Sequence, residues 1–179
     1  MLKFLKVSLP LIAVFILINV VVQCVTYKFD QLRDQQSSMQ YSTVTAEMRD
    51  QQLDCLAKNI YYEAGYEPFE GKAAVAQVTI NRANSGRFPG DICKVVYQKN
   101  VVYDKVLCQF SWYCTASGGL KPKAPAVYRE CQEVAKKVLL EGFRLPSLKN
   151  AMYYHADYVN PGWQKRKIAQ IGRHIFYAD

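Results

Sequence analysis

Residues 53–65 read LDCLAKNIYYEAG. Its apolar residues recur at intervals of three and four, which predicts an amphipathic helix with one buried stripe. Gly65 suits the position just past a helix C-terminus, so we expect the helix to end there. Glu63 lies in the last turn, at the margin of the apolar stripe. The sequence therefore places a carboxyl group at the end of a core helix.

The chain beyond this helix predicts further helices and then strands. Pro68 suits the first turn of a second helix, whose residues 73–80 are apolar on nearly every face, as in a helix at the centre of a domain. Asp91 is a suitable cap for a short helix. The other elements are helices over 92–98 and 125–141 and strands within 152–159 and 171–177. This order predicts an α+β fold, mainly helical with a small antiparallel sheet.

The first 25 residues predict a signal-anchor helix. Lys3 and Lys6 precede an apolar run over 7–25, which is close to the roughly 20 residues that span a bilayer. Lysines before the run predict a cytoplasmic N-terminus and an exported remainder, held at the inner membrane. The alternative is a cleaved signal peptide and a secreted protein, although no A-x-A-like site follows Val22. Residues 26–46 are expected to be a polar tether and 47–179 the folded domain.

A further alternative is release of the anchor from the bilayer. Pro10, Asn19, Gln23 and Cys24 make the segment only moderately apolar. A released Cys24 would be free to exchange disulfides with a domain cysteine such as Cys131. This hypothesis predicts that the protein leaves the membrane fraction when the membrane is depolarised.

Five of the six cysteines lie beyond the predicted anchor, and an exported domain in an oxidising compartment permits disulfides between them. Cys131 lies on the apolar stripe of the third long helix and is expected to be a buried free thiol. The remaining pairs are predicted to be Cys55–Cys93 and Cys108–Cys114, although spacing alone does not fix connectivity.

Composition limits the partners. A net charge of +8 suits an anionic polymer or a membrane surface. The basic residues are scattered apart from 165–167, so no nucleic-acid partner is expected. The two histidines and the absence of C-x-x-C spacing argue against a metal site. We expect a monomer without cofactor.

The position of Glu63 indicates acid chemistry. A carboxyl group that is partly withdrawn from water keeps its proton to higher pH, which is the property of a general acid near neutral pH. The ordinary alternative is a glutamate at a helix end that pairs with a lysine.

Four motifs together resemble the SleB-type cell wall hydrolases, which include spore cortex-lytic enzymes. They are LAKNIYYEAGYEPFEGKAAVAQVTINRANSGRFPGDICKVVYQ at 56–98, CQFSW at 108–112, MYYHADYVNPGW at 152–163 and IGRHIFY at 171–177. The resemblance covers about residues 53–177 in order. The chain departs from the pattern at Ala64-Gly65-Tyr66, where many members have a basic residue after the alanine.

The resemblance implies a small lysozyme-like domain that cleaves the glycan strands of peptidoglycan, with Glu63 as the catalytic glutamate. A hydrolytic glycosidase needs a second carboxyl group. Glu67, Glu70, Asp104 and Asp157 are the candidates, but none has an obvious active-site context. A lytic transglycosylase needs only Glu63, and the resemblance also points to this chemistry. The alternatives are a hydrolytic muramidase and a non-catalytic wall-binding module.

Polar and aromatic residues in the motifs are the candidate substrate contacts. In an alternating strand over 109–112, Phe110 and Trp112 would share one face, and we assign Phe110, Phe176 and Trp163 to core packing. Gln77 and Asn81 lie one turn apart on the central helix, where they either bond backbone or line the site. The substrate-binding candidates are Gln109, Ser111, Trp112, Tyr153, Tyr154, His155, Gln77 and Asn81.

Overall fold

The computed structural model describes the backbone of residues 2–115 and 121–179, and the side chains of 12–36, 45–115 and 121–179. The chain forms two compact units, Met1–Glu47 and Met48–Asp179.

The first unit consists of the N-terminal part of helix α1, which runs over Leu2–Ala64. Residues Ile12–Gln36 are long and apolar enough to cross a membrane, and none of their most apolar window is buried. The predicted tether, 26–46, is helical within α1. Its role as a tether stays a prediction.

The second unit has an α+β fold, which confirms the predicted class. Its helices are the end of α1, α2 (Phe69–Asn84), α3 (Ile92–Val96), α4 (Ser111–Thr115), α5 (Pro125–Leu139) and a short 3-10 turn at Pro146–Leu148. Strands β1 (Lys99–Val102) and β2 (Lys105–Cys108) form an antiparallel hairpin. Strands β3 (Tyr153–Ala156), β4 (Arg166–Ile171) and β5 (His174–Ala178) form an antiparallel sheet in the order β3-β5-β4.

Helix α2 lies at the centre of the domain, as its apolar sequence predicts. All of its residues from Gly71 to Ile80 are buried. One face packs with the end of α1 and with α5, through Leu56, Ile60 and Val138 among others. The other packs on the inner face of the sheet, where Phe176 is fully buried. This central helix therefore fixes the end of α1 relative to the sheet.

Three structural expectations are wrong. Residues 109–112 are not a strand, because the chain leaves β2 at Cys108 and begins α4 at Ser111. Trp163 is not a core residue: it is 42% exposed and packs edge-on against the rings of Tyr153 and Tyr177. The sequence analysis also missed β1, β2 and β4. Most residues of these strands are exposed and alternate weakly, so their pairing carries little hydrophobic signal.

Both predicted disulfides are present. Cys55–Cys93 joins α1 to α3, and Cys108–Cys114 joins the end of β2 to α4. Cys131 is a free, fully buried thiol, as predicted. Burial raises its pKa to about 11, and a buried thiol with so high a pKa is a poor partner for exchange with Cys24.

Candidate active site

Glu63 projects from the last turn of α1 into an open groove. The helix ends at Ala64, and the Gly65 amide still donates to the Tyr61 carbonyl at 3.2 Å. A Cβ atom at position 65 would overlap that carbonyl oxygen. The amide of Glu67 then donates to the Ala64 carbonyl at 2.9 Å. Because the helix ends here, the side chain of Glu63 borders the groove.

The groove has a volume of about 580 Å³ and is built from three parts of the chain. These are the end of α1 with the turn that follows it, the segment before α5, and the β4–β5 turn. Its two carboxyl side chains are Glu63 and Glu67. Its cationic side chains are Lys121, Lys123 and Arg173. The groove thus combines one acid on a helix end with a basic rim.

The carboxyl group of Glu63 is partly buried and hydrogen-bonded. The Tyr154 hydroxyl donates to its Oε2 at 3.0 Å. Burial raises the pKa of Glu63 above its usual value, while the Tyr154 hydrogen bond and the positive charge of Arg82 act in the opposite direction. Because burial is the largest of these effects, Glu63 keeps its proton to a higher pH than an exposed glutamate does.

This raised pKa predicts a pH-dependent stability. Above about pH 4.3, where an unfolded glutamate ionises, the folded protein binds more protons at Glu63 than the unfolded chain does. The free energy of unfolding therefore falls as pH rises from there through the folded-state pKa. We expect the stability difference, Glu63→Gln minus wild type, to grow across this range by at most about 1.4 kcal/mol per pH unit. Urea unfolding of the full chain in mild detergent at several pH values measures it, and a constant difference would contradict the raised pKa.

One of the groove residues, Tyr62, belongs to a stacked pair of aromatic rings. Tyr62 stacks on Trp112 with ring centroids 4.6 Å apart. The Trp112 indole N–H donates to the Asn59 side-chain oxygen at 3.1 Å, and the Asn59 amide donates to the Thr79 hydroxyl at 3.1 Å. Asn59 and Thr79 are fully buried, so these bonds anchor the Trp112 ring on which the groove residue Tyr62 stacks.

Glu67 is bonded to the β4–β5 turn. The amide of Arg173 donates to its two carboxylate oxygens at 3.3 and 3.4 Å. Gly172 has φ +55°, and a Cβ atom there would overlap Glu67 Oε2. From the sequence, Glu67 was a candidate second carboxyl group without an obvious active-site context. The structure shows that its carboxylate links the chain after α1 to the β4–β5 turn.

The Glu67 contact predicts a large difference between two glycine substitutions. Gly86 has φ +71° with nothing near its Cβ position, so Gly86→Ala carries only the backbone cost of about 1–2 kcal/mol. Gly172→Ala carries a similar cost and also displaces Glu67. We expect it to destabilise the domain by about 1–3 kcal/mol more than Gly86→Ala. Chemical unfolding of both variants tests this, and equal losses would show that the contact contributes nothing.

Gln77 and Asn81 bond backbone, which was one of their two expected roles. The Gln77 side chain donates to the Leu145 carbonyl at 3.1 Å and accepts from the Leu145 amide at 2.7 Å. Asn81 donates to the carbonyls of Leu148 and Ala151 at 3.0 and 2.9 Å. These amides tie α2 to the chain before β3, and we do not place them in the substrate site.

The MYYH motif divides between the two faces of the sheet, because side chains alternate along a strand. Tyr154 faces inward toward Phe176 and Glu63. Tyr153 faces outward, with Lys165 Nζ 3.9 Å from its ring centroid. His155 also faces outward, and its Nε2 lies 2.8 Å from the Tyr177 hydroxyl. Of these three candidates, the structure brings only Tyr154 to Glu63.

The CQFSW motif contributes one residue beside the groove. Trp112 stacks on the groove residue Tyr62. Gln109 and Ser111 are not among the residues that line the groove. The Gln109 amide donates to the Gln98 carbonyl at 2.9 Å, and Ser111 is exposed at the start of α4. Substrate contact by Gln109 and Ser111 stays a prediction.

Arg82 was not among the predicted site residues, although its positive charge acts on Glu63. Its side chain lies on α2, it is 4% exposed, and its Nε donates to the Met152 carbonyl at 2.8 Å. The available signal was a lone arginine on a helix that is otherwise apolar on almost every face. Within the described residues, no three His, Cys, Asp or Glu side chains are grouped as a metal site requires.

Comparison with known proteins places these features in a family. Residues 66–177 match the cell wall hydrolase family, and the match begins just after Glu63. The chain is 28% identical over 149 residues to the spore cortex-lytic enzyme of Halalkalibacterium halodurans, covering 80% of this chain and 40% of that protein. It is 29% identical over 125 residues to the spore cortex-lytic enzyme of Bacillus subtilis, covering 68% of this chain and 35% of that protein. The chain thus spans well under half the length of these relatives.

Two solved structures share the fold. The catalytic domain of the Bacillus cereus SleB protein aligns with a TM-score of 0.52 and 24% identity, covering 70% of this chain and 88% of that one. The catalytic domain of the germination-specific lytic transglycosylase SleB from Bacillus anthracis aligns with the same score and identity, covering 93% of that chain. These matches confirm the resemblance seen in the motifs. The chain belongs to the cell wall hydrolase family.

Proposed function

We propose that this protein cleaves the glycan strands of peptidoglycan between N-acetylmuramic acid and N-acetylglucosamine, as a lytic transglycosylase with Glu63 as general acid and base. The observation that carries the proposal is a carboxyl group with a raised pKa, hydrogen-bonded to Tyr154, in an open groove. Family membership and the relatives' names support the substrate class.

The proposed reaction uses one carboxyl group twice. Protonated Glu63 gives its proton to the glycosidic oxygen as the bond from that oxygen to C1 of the muramic acid breaks. The resulting carboxylate takes the proton of the C6 hydroxyl of the same sugar while that oxygen bonds to C1. The products are a 1,6-anhydro end and a free hydroxyl, without consumption of water. The Tyr154 hydroxyl stabilises the carboxylate between the two steps.

Hydrolysis is the second candidate, and Glu67 is the observation that favours it. Glu67 lines the same groove as Glu63 and is a possible base for an attacking water. Against this role, both carboxylate oxygens of Glu67 accept from the Arg173 amide. The carboxylate is therefore already engaged in a bond to the β4–β5 turn.

Product analysis separates the two reactions. The full chain in mild detergent is incubated with purified sacculi, and the released fragments are analysed by mass spectrometry. Under our proposal the new ends are anhydro sugars, lighter by one water than reducing ends, and Glu67→Gln still produces them. Reducing ends, with Glu67→Gln as inactive as Glu63→Gln, would establish hydrolysis. A folded protein that binds sacculi without releasing fragments would be a wall-binding module.

We further propose that the N-terminal helix anchors the protein in the inner membrane with its domain exported. The candidate span Ile12–Gln36 supports membrane contact, and the two disulfides fit an oxidising compartment. The test is cell fractionation followed by mass spectrometry of the intact protein. We expect a membrane-bound protein whose mass includes residues 1–25. A soluble exported form that lacks these residues would show signal-peptide cleavage instead.

A further inference from the structure

Arg82 occupies an unusual environment for a cation. It is 4% exposed, and its Cζ lies 5.3 Å from the ring centroids of both Phe88 and Phe110. Its Nε is bonded to the Met152 carbonyl, but the buried Nη1 has no hydrogen-bond partner among the described residues. An incompletely bonded buried charge is costly, so its position calls for a reason other than stability.

The reason is what lies beyond it. The guanidinium is 6.0 Å from the ring centroid of Tyr154, and the hydroxyl of that ring donates to Glu63 Oε2 at 3.0 Å. Arg82, Tyr154 and Glu63 thus form a continuous row from the core to the groove. The cation is at the dry end of this row, and the acid is at the open end.

Other charged and titratable groups near Glu63 do not offer an equivalent charge. His174 packs edge-on against Tyr154 at 5.3 Å between centroids, and burial lowers its pKa, so it is neutral at neutral pH. The titratable and charged groups that line the groove with Glu63 are Tyr61, Tyr62, Tyr66, Glu67, Lys121, Lys123 and Arg173. The cations among these groove residues are exposed and screened by water.

We propose that Arg82 is the buried counter-charge of Glu63, a positioning residue that acts through Tyr154 to stabilise the carboxylate formed when Glu63 gives up its proton. The proposal rests on the proposed function of Glu63 as general acid and base. A neutral acid withdrawn from water resists ionisation, and a fixed cation behind it reduces that resistance without itself touching the glycan. Arg82 thereby sets how strong an acid Glu63 is.

The test is a direct titration of Glu63, which requires no substrate. The full chain, labelled with ¹³C at glutamate side-chain carboxyl carbons, is titrated by NMR in detergent micelles, and the Glu63 signal is assigned by its loss in Glu63→Gln. We expect Arg82→Met to raise the pKa of Glu63 by about one pH unit. Arg82→Lys keeps a positive charge but not the reach of the guanidinium. The pKa of Glu63 in this variant should lie between its values in the wild type and in Arg82→Met.

The readouts separate an electrostatic role from a packing role. Near-UV circular dichroism identifies the folded variants, because Arg82→Met leaves the Met152 carbonyl without its donor. If Arg82→Met does not fold, Arg82→Lys decides, and its Glu63 pKa must lie above that of wild type. An unchanged or lower Glu63 pKa in any folded variant overturns the proposal.

Activity then distinguishes the inference from the function on which it rests. In Arg82→Met we expect the alkaline limb of the pH–rate profile to move to higher pH and the maximum rate to fall. A weaker acid stays protonated to higher pH but transfers its proton less readily. If Glu63→Gln still cleaves sacculi while the Glu63 pKa responds to Arg82, the proposed function fails and the counter-charge stands. If Glu63 is essential for cleavage but its pKa is unchanged in the Arg82 variants, only this inference fails.

Discussion

Replacing Glu63 by glutamine is expected to lower the rate of glycan cleavage by at least about a hundredfold, since general acid–base catalysis contributes about 10²–10⁴. The amide has nearly the shape of the carboxyl group, and its oxygen still accepts from the Tyr154 hydroxyl. It has no proton to give to the glycosidic oxygen and no basic carboxylate to take one back. Both proposed steps are therefore lost while the groove keeps its form. The measurement is the release of soluble fragments from sacculi.

Glu70→Gln is the matched control. Glu70 lies in the first turn of α2, is exposed and does not line the groove. The same loss of one negative charge there removes only a helix N-terminal interaction of about 0.3–1 kcal/mol. We expect Glu70→Gln to cleave sacculi at close to the wild-type rate. Equal cleavage by Glu63→Gln and wild type would refute the assignment of Glu63.

The second large effect concerns stability and the disulfide between α1 and α3. Cys55 and Cys93 are 38 residues apart, and cross-linking a loop of that length restricts the unfolded chain by about 4 kcal/mol in the loop-entropy relation. We expect the paired substitution Cys55→Ala and Cys93→Ala to lower the free energy of unfolding by about this amount. This is a large part of the stability of an ordinary domain. Denaturant unfolding of the full chain in detergent measures the loss.

The other disulfide provides the comparison. Cys108 and Cys114 are only 6 residues apart, so the same relation gives about 2 kcal/mol for their paired replacement by alanine. Both variants lose two sulfur atoms and one covalent bond. They differ in the length of the loop and in burial, since Cys55 is a core residue and Cys114 is exposed. A larger loss for the Cys108–Cys114 pair would mean that strain or local packing, and not chain restriction, governs the contribution of the disulfides.

Most of the helical fold could be predicted because its signals are local. The apolar period of 53–64 and the turn at Gly65 gave the last part of α1, and the apolar content of 73–80 gave the buried α2. Asp91 caps α3, with its carboxylate accepting from the Lys94 amide at 2.8 Å. The β1–β2 hairpin was missed because its strands are largely exposed and lack the alternation that marks a half-buried strand.

The candidate site was predictable only where a residue's neighbours in sequence determine its setting. Glu63 could be identified because the residues of a single helical turn show a carboxyl group beside the apolar stripe at the end of the helix. Tyr153 and His155 could not be separated from Tyr154, because adjacent strand residues face opposite sides and only the sheet's packing on α2 shows which side is inward. Arg82 was missed because its significance depends on Tyr154, which is distant in sequence.

Periodicity, capping and length act over a few neighbouring residues, so the amino-acid sequence alone predicted the long helices of the domain, the membrane-length apolar segment, the α+β class and the position of one acid. Other features follow only from the packed fold: Tyr154 donates to Glu63, Arg82 lies behind Tyr154, and Glu67 accepts from the β4–β5 turn. These contacts join parts of the chain that are far apart in sequence. The packing of α2 between α1 and the sheet brings them together, and the burial that results raises the pKa of Glu63.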